Sequence, residues 1–147
     1  MLRMIKDNIK DALGKKVKDW FVKNERRVYI TILKEDLKDV ARLLYEDLGL
    51  RFCTASGIDN ENNLEIIYHF SFDKTGEIFS LRVFIEDKNK PQVDSLTSIF
   101  SAASWIEREI HEMLGVDFVG HPNLKHLLLR EDWPQCSFPL RKDYQDE

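Results

Sequence analysis

Between Trp105 and Trp133 the chain reads WIEREIHEMLGVDFVGHPNLKHLLLREDW, and Glu107, Arg108, Glu109, His111, Glu112, Asp117, His121 and His126 within it are residue types that move protons or hold metals. A zinc hydrolase is the first chemistry to consider, because His111 and Glu112 begin an HE pair. An HExxH site needs its second imidazole one helical turn on, at residue 115, and that residue is glycine. His111, His121 and His126 do not match the spacing of a three-histidine site either. His121 has a plainer use in the GHP bend, where Gly120 supplies an unusual φ, Pro122 fixes the next one and the imidazole bonds the local backbone. Nucleophilic catalysis has no GxSxG elbow, and the six glycines are too scattered to cradle a phosphate. What is left for an enzyme is an acid/base pair, Glu109 with His121, in a small free-standing metal- or acid/base-dependent catalyst.

These residues need a helix to carry them. At helical spacing Ile106, Ile110, Met113 and Leu114 form an apolar arc, and Glu107, Arg108, His111 and Glu112 fall on the opposite side. Arg108 and Glu112 are four apart and are expected to pair on the surface. Glu109 lies at the edge of the arc, between Trp105 and Met113, where its carboxylate needs an Arg, Lys or backbone partner. Gly115 is the expected stop.

Upstream, Ile5, Ile9, Leu13, Val17 and Phe21 recur every fourth residue and predict a basic amphipathic helix over 1–24, either packed on its own sheet or lying on a membrane surface. Residues 1–27 carry nine Lys/Arg against four Asp/Glu, a balance of +5, so the remainder holds −9 of the net −4. The segment 26–33 reads as a strand, and Leu37, Val40, Ala41, Leu44 and Leu48 as a helix. Three strand-like runs over 52–86, separated by NEN and DKTGE turns, predict an antiparallel meander. The text after Pro91 reads as helical from 92 to 116, with Asp94 or Ser95 as N-cap. The expected fold class is α+β: a two-layer sandwich of a mostly antiparallel four-stranded sheet with helices on one face, forming one domain over 1–147.

The stretch 115–147 has no period and three prolines, yet carries Trp133, Phe138, Leu140 and Tyr144. Such a segment cannot build its own core, so it is expected to be an extended docking tail that buries its apolar groups on the parent domain or on a partner. Cys53 and Cys136 are the only cysteines, too few for an iron–sulfur centre or a cysteine zinc site within this chain. The acidic net charge weighs against nucleic acid, and no apolar run reaches the roughly 18–20 residues of a transmembrane span, so a soluble intracellular protein is expected.

The order of the residues carries more than their types. The text EREIHEMLGVDFVGHPNLKHLLLREDW…PLRKDY resembles the signature of the 30 kDa, or C-type, subunit family of NADH:quinone oxidoreductase, respiratory complex I, and of its relatives in membrane-bound, energy-converting nickel-iron hydrogenases and formate hydrogenlyases. The matching positions are Glu107, Arg108, Glu109, Gly115, Phe118, Gly120, His121, Pro122, Leu124, Pro139, Leu140, Arg141, Lys142 and Asp143. The family usually has Asp where Glu112 stands, and the longer side chain counts against a tight contact there. His111, where an aromatic is frequent, and the short length lean toward the hydrogenase branch. The resemblance implies a subunit without catalytic, cofactor or metal residues of its own. It implies a peripheral place on the cytoplasmic side of the cell membrane, against a catalytic large subunit and an iron–sulfur small subunit. Iron–sulfur clusters, and nickel-iron or quinone and NADH sites, would belong to those partners. It also implies that Glu107, Arg108 and Glu109 fix the helix and its following loop, that His121 and Pro122 set the bend, and that Arg141 to Asp143 dock the tail.

Overall fold

The computed structural model describes residues 4–146. Helix α1 (Ile5–Leu13) leads through a short 3-10 turn into strand β1 (Asp19–Asn24), which pairs with β2 (Arg27–Thr31). Helix α2 (Leu37–Arg42) continues as a π-helical turn to Asp47, and β3 (Arg51–Asp59), β4 (Leu64–Phe72) and β5 (Glu77–Ile85) follow as the expected antiparallel meander. Strand β6 (Gln92–Asp94), helix α3 (Ala103–Leu114) and strand β7 (Asp117–Val119) complete the regular structure.

The main sheet has five strands, in the order β1-β2-β5-β4-β3. One face is apolar in strict alternation. Leu64, Ile66, Tyr68 and Phe70 of β4 stand beside Ile85, Val83, Leu81 and Phe79 of β5, and Val28 and Ile30 of β2 extend the row. All are buried beneath the apolar sides of the helices, which contribute Ile9, Leu37, Val40, Leu44, Ile110 and Leu114. The opposite face carries His69 hydrogen-bonded to Ser80 at 2.8 Å and the Arg82–Glu65 ion pair at 2.8 Å. Helices on one face of a mostly antiparallel sheet are therefore present as expected.

Several expectations change. The sheet gains a fifth strand because the segment read as one long helix divides. Helix α1 stops at Gly14 (φ 52°), and residues 19–24 form β1. The four-residue spacing of Val17 and Phe21 continues the stripe in text only, because Phe21 projects from a strand beside Tyr29. The first three residues of the expected helix lie outside the described residues. Ile5, Ile9 and Leu13 are buried in the core, so α1 has no free apolar stripe to lay on lipid. The β2–β5 pair is parallel, which the separation of the two strands in sequence concealed.

The expected helix over 92–102 is instead strand β6 and a run of turns. Residues 92–94 pair in parallel with β7, so the tail begins with a strand rather than an irregular chain. Leu96 and Phe100 from those turns enter the core, where Phe100 stacks on Phe52 at 4.6 Å and meets Phe70 edge-on at 6.0 Å. This packing fixes the turn on the sheet.

Helix α3 lies against β3, and Gly57 permits the approach: a Cβ there would stand 2.5 Å from Leu114 Cδ1 and 3.2 Å from Ile110 Cγ2. Gly57→Val is expected to force α3 away from the strand and destabilise the domain by about 2 kcal/mol in urea unfolding. An unchanged midpoint would show that α3 does not depend on this contact.

Candidate functional site

Helix α3 is covered on two sides, by β3 and by the chain that follows it, and this places its charged residues differently from the helical wheel. Glu107 and Glu112, expected in solvent, are both buried. Glu107 faces the turn that precedes the helix. Its carboxylate accepts from the Ser95 hydroxyl at 2.6 Å and from the Leu96 N–H at 3.2 Å. Ser95 thus serves as a partner of Glu107 rather than as an N-cap. Burial pushes the Glu107 pKa up to about 7 against the pull of these two donors. The hydroxyl of the fully buried Tyr68 has no hydrogen-bond partner among the described residues, and burial, then Glu107 and Asp94, drives its pKa upward.

Arg108 and Glu112 do not pair with each other. Both reach across to the irregular chain after β7 and divide its backbone between them. Arg108 donates from Nε to the Lys125 carbonyl at 2.9 Å and from Nη2 to the His126 carbonyl at 2.6 Å. Glu112 accepts the N–H groups of Leu127, Leu128 and Leu129 at 2.9, 2.7 and 3.3 Å, with His126 Nδ1 at 3.3 Å. Burial opposes ionisation of Glu112, but the N–H donors, led by Leu128, outweigh it and hold the carboxyl below its ordinary range. The contact that the Asp-to-Glu exchange counted against is therefore closely made: the longer arm spans the distance.

The histidines serve the backbone as well. His121 Nδ1 accepts from the Asn123 N–H at 2.9 Å, so Nε2 carries the proton and donates to the Ser104 carbonyl at 3.0 Å. The expected bend is present and is also tied to the start of α3. His111 Nδ1 donates to the Val116 carbonyl at 2.8 Å, across the helix end that Gly115 caps at φ 81°. A Cβ at Gly115 would meet the Phe138 ring at 2.5 Å, so this glycine both ends the helix and seats the tail.

The closing signature docks on the chain's own domain. Arg141 donates to the Leu114 and Lys88 carbonyls at 3.1 and 2.9 Å, the Leu140 N–H bonds the Met113 carbonyl at 3.1 Å, and the Lys142 N–H donates to Asp59 at 2.7 Å. Asp59 also pairs with Lys88. Burial resists its ionisation, and the Lys142 N–H and Lys88 hold it below the ordinary range nonetheless. Asp143 is exposed, 3.8 Å from Arg141, and does not itself hold the tail. Leu140, which follows Pro139, lines a groove between β3 and α3, in which Glu109 stands half-buried beside Met113 with no hydrogen bond or ion pair among the described residues. Phe118 is in the core and Leu124 packs on it.

Glu109 and His121 are not brought together as an acid/base pair, since both nitrogens of His121 are committed to backbone groups and Glu109 faces the β3 groove. A cleft of about 760 Å³ separates α3 from the tail and is lined by Arg108, His111, Glu112, His126, Trp133 and Phe138, and in it Arg108 Nε and Nη2 and both Glu112 oxygens already bond the tail backbone. Among the described residues no group of three or more His, Cys, Asp or Glu is arranged to hold a metal, no helix is long and apolar enough to cross a membrane, and Cys53 and Cys136 are free and exposed. Sequence reasoning missed Asp59 and Lys88, which carry no motif, and gave Ser95 a different role. It noted Trp105 only as a neighbour of Glu109, although Trp105 is 70% exposed on the outer side of α3.

Residues 30–147 match the family model described as the respiratory-chain NADH dehydrogenase 30 kDa subunit. The C-type subunit of NADH-quinone oxidoreductase from Citrifermentans bemidjiense is 31% identical over 121 residues, covering 80% of this chain and 73% of that protein. Its counterpart in Roseiflexus sp. is 38% identical over 121 residues, with 78% and 67% covered. In Bacteroides thetaiotaomicron the similarity, 37% over 84 residues, falls within a C/D-type subunit of NADH-quinone oxidoreductase, of which it spans 16%. Among solved structures, an archaeal membrane-bound sulfane sulfur reductase contains a chain of the same fold, with a TM-score of 0.85 at 23% identity over 96% of this chain and 84% of that one. The trypsin-resistant fragment of Nqo5 superposes with a TM-score of 0.68 at 19% identity, over 81% and 98%.

Two outcomes test the geometry. Glu112→Ala leaves three N–H groups of the tail without their acceptor, so trypsin cleavage at Lys125 and Arg130 is expected to accelerate about 30-fold, for a local loss of about 2 kcal/mol, while the melting of the sheet moves little. For Glu107 the folded pKa lies above the unfolded one. Its contribution is present in full below about pH 4.5 and is lost as pH rises through about 7. The protein should therefore lose up to about 3 kcal/mol between pH 5 and pH 8, and Glu107→Gln should flatten that slope in denaturation measured across the range.

Proposed function

The chain belongs to the 30 kDa subunit family of respiratory-chain NADH dehydrogenase, and on that premise we propose that it is a non-catalytic peripheral subunit of a membrane-associated, ion-translocating oxidoreductase. Its task is to assemble a catalytic large subunit with an iron–sulfur small subunit on the cytoplasmic side of the membrane. The redox centres of such a complex, iron–sulfur clusters with nickel-iron or with quinone and NADH sites, reside in those partners. The C/D-type relative supports contact with the large subunit, because there the C-type and D-type names fall on one protein.

One observation carries the reading. Polar groups of α3 and of the tail are turned inward on each other, whereas Trp105 of α3 and Leu128 and Leu140 of the tail are exposed by 70%, 63% and 62%. A backbone fixed by Arg108, Glu112 and Arg141 presents these side chains without further ordering cost, which favours binding to a partner over an open, mobile tail. Glu109, half-buried and unpaired beside Leu140, adds a carboxylate for a cationic group on the partner.

The test is an affinity pull-down of the tagged protein from its native membranes in mild detergent, with mass spectrometry of what accompanies it. The wild type should bring a hydrogenase-like or complex I-type large subunit and an iron–sulfur small subunit. Trp105→Ala with Glu109→Ala should lose both, for an affinity loss of about 30-fold or more, while the melting of the isolated chain changes by less than about 0.5 kcal/mol. Recovery of the wild-type chain alone would defeat the proposal and return attention to a free-standing protein.

A further inference from the structure

Strand β1 forms one border of the five-stranded sheet, and among the described residues nothing pairs with its outer edge. The direction of its free groups follows from its neighbours. The Ile32 N–H donates to the Arg82 carbonyl at 3.1 Å, toward β5, so alternation turns the N–H groups of Thr31 and Tyr29 toward β1. The register of Asp19 with Thr31 and of Phe21 with Tyr29 then aims the N–H and C=O groups of Trp20 and Val22 away from the sheet. The Lys18 N–H also reaches the Thr31 carbonyl, at 2.8 Å, so the free stretch begins after a bulge. Phe21 is 54% and Val22 51% exposed, on opposite faces of the strand.

An open edge of this kind recruits another strand, and its charge selects which. Lys15, Lys18, Lys23, Arg26 and Arg27 lie on or beside the hairpin without a carboxylate partner among the described residues, and against Asp19 and Glu25 they leave it with a balance of +3. Two copies of β1 laid edge to edge would set Asp19 opposite Lys23 but still bring two net-positive hairpins together, which an acidic strand would not. A membrane surface would take one face of the strand, not Phe21 and Val22 at once, and the apolar stripe of α1 is already in the core. We propose that the β1 edge receives an extended acidic segment of a partner protein as a sixth strand. Its backbone pairs with Trp20 and Val22, its carboxylates meet the surrounding Lys and Arg, and its apolar side chains cover Phe21 and Val22. The edge lies ahead of Ile30, where the family match begins, and does not involve the surface of α3 and the tail. The two surfaces can therefore fail separately.

The isotope-labelled full chain is titrated with a short blocked peptide of alternating glutamate and valine, with the same peptide carrying lysine for glutamate, and with phosphatidylglycerol/phosphatidylcholine vesicles. The glutamate peptide should shift the amide resonances of residues 20–22 and slow their hydrogen exchange, and the lysine peptide should not. Val22→Pro removes an outward N–H but no β1–β2 bond, and it should weaken binding about tenfold. Lys18→Glu with Lys23→Glu should do the same through charge alone, which keeps the test valid if the proline disturbs the hairpin. Equal binding of both peptides, shifts confined to other strands, acidic-peptide binding that survives in both variants, or binding to vesicles alone would each overturn the proposal.

Discussion

The structure depends on how an irregular chain of about thirty residues satisfies its own backbone. Away from water, an unpaired N–H or C=O costs about as much as a lost hydrogen bond, and a segment without helix or sheet must find partners elsewhere. Here the partners are side chains of one helix. Arg108 supplies donors to two consecutive carbonyls and Glu112 supplies acceptors to the next three N–H groups, so residues one turn apart fix opposite polarities of the same stretch. A carboxylate bonded by several N–H groups tolerates burial that would otherwise neutralise it.

That arrangement is ordered from the sheet outward. Gly57 lets α3 settle on β3, and the Phe52, Phe70 and Phe100 cluster anchors the preceding turn, so that Ser95 and Leu96 meet Glu107. Gly115 then reverses the chain, and β7 pairs with β6 before the tail departs. Each step fixes the start of the next, so the far end of the tail, at Arg141 and Lys142, returns to β3 and the β5–β6 connection. The contrast between Glu107 and Glu112 follows from this geometry. Both are buried, but Glu112 has three backbone donors and Glu107 one, together with a hydroxyl, and their pKa values move in opposite directions.

A surface built in this way is what the proposed role in binding partner subunits requires. Arg108, His111, Glu112 and His121 are engaged with the chain's own backbone, Glu109 is not, and Trp105, Leu128 and Leu140 are exposed. Rigid presentation of apolar groups lowers the ordering cost of association more than it adds contact area. Residue types common in active sites also serve as strong donors and acceptors for a backbone, as Arg108 and Glu112 do here.

Much of the fold was legible in the chain. Strands β3, β4 and β5 alternate apolar and polar residues, the α2 stripe marks its buried side, and NEN and DKTGE mark the turns, because these signals depend on neighbours only a few residues apart. The family signature was legible too, as an ordered string from Glu107 to Asp143. So were the place of Glu109 at the margin of the apolar arc and that of His121 in its bend. The rest required the third dimension. A helical wheel assumes one buried side, and it sent Glu107 and Glu112 to solvent because nothing local indicates that the tail returns over the second. A four-residue repeat carried α1 past Gly14 into what is β1, since spacing alone does not show where a helix stops touching its core. The parallel β2–β5 pair and the Arg141 contacts join residues some fifty positions apart. Local pattern determined which groups were polar and which apolar; only the long-range folding of the chain decided which of the polar ones would be buried, because burial is set by what packs against a residue and not by what precedes it.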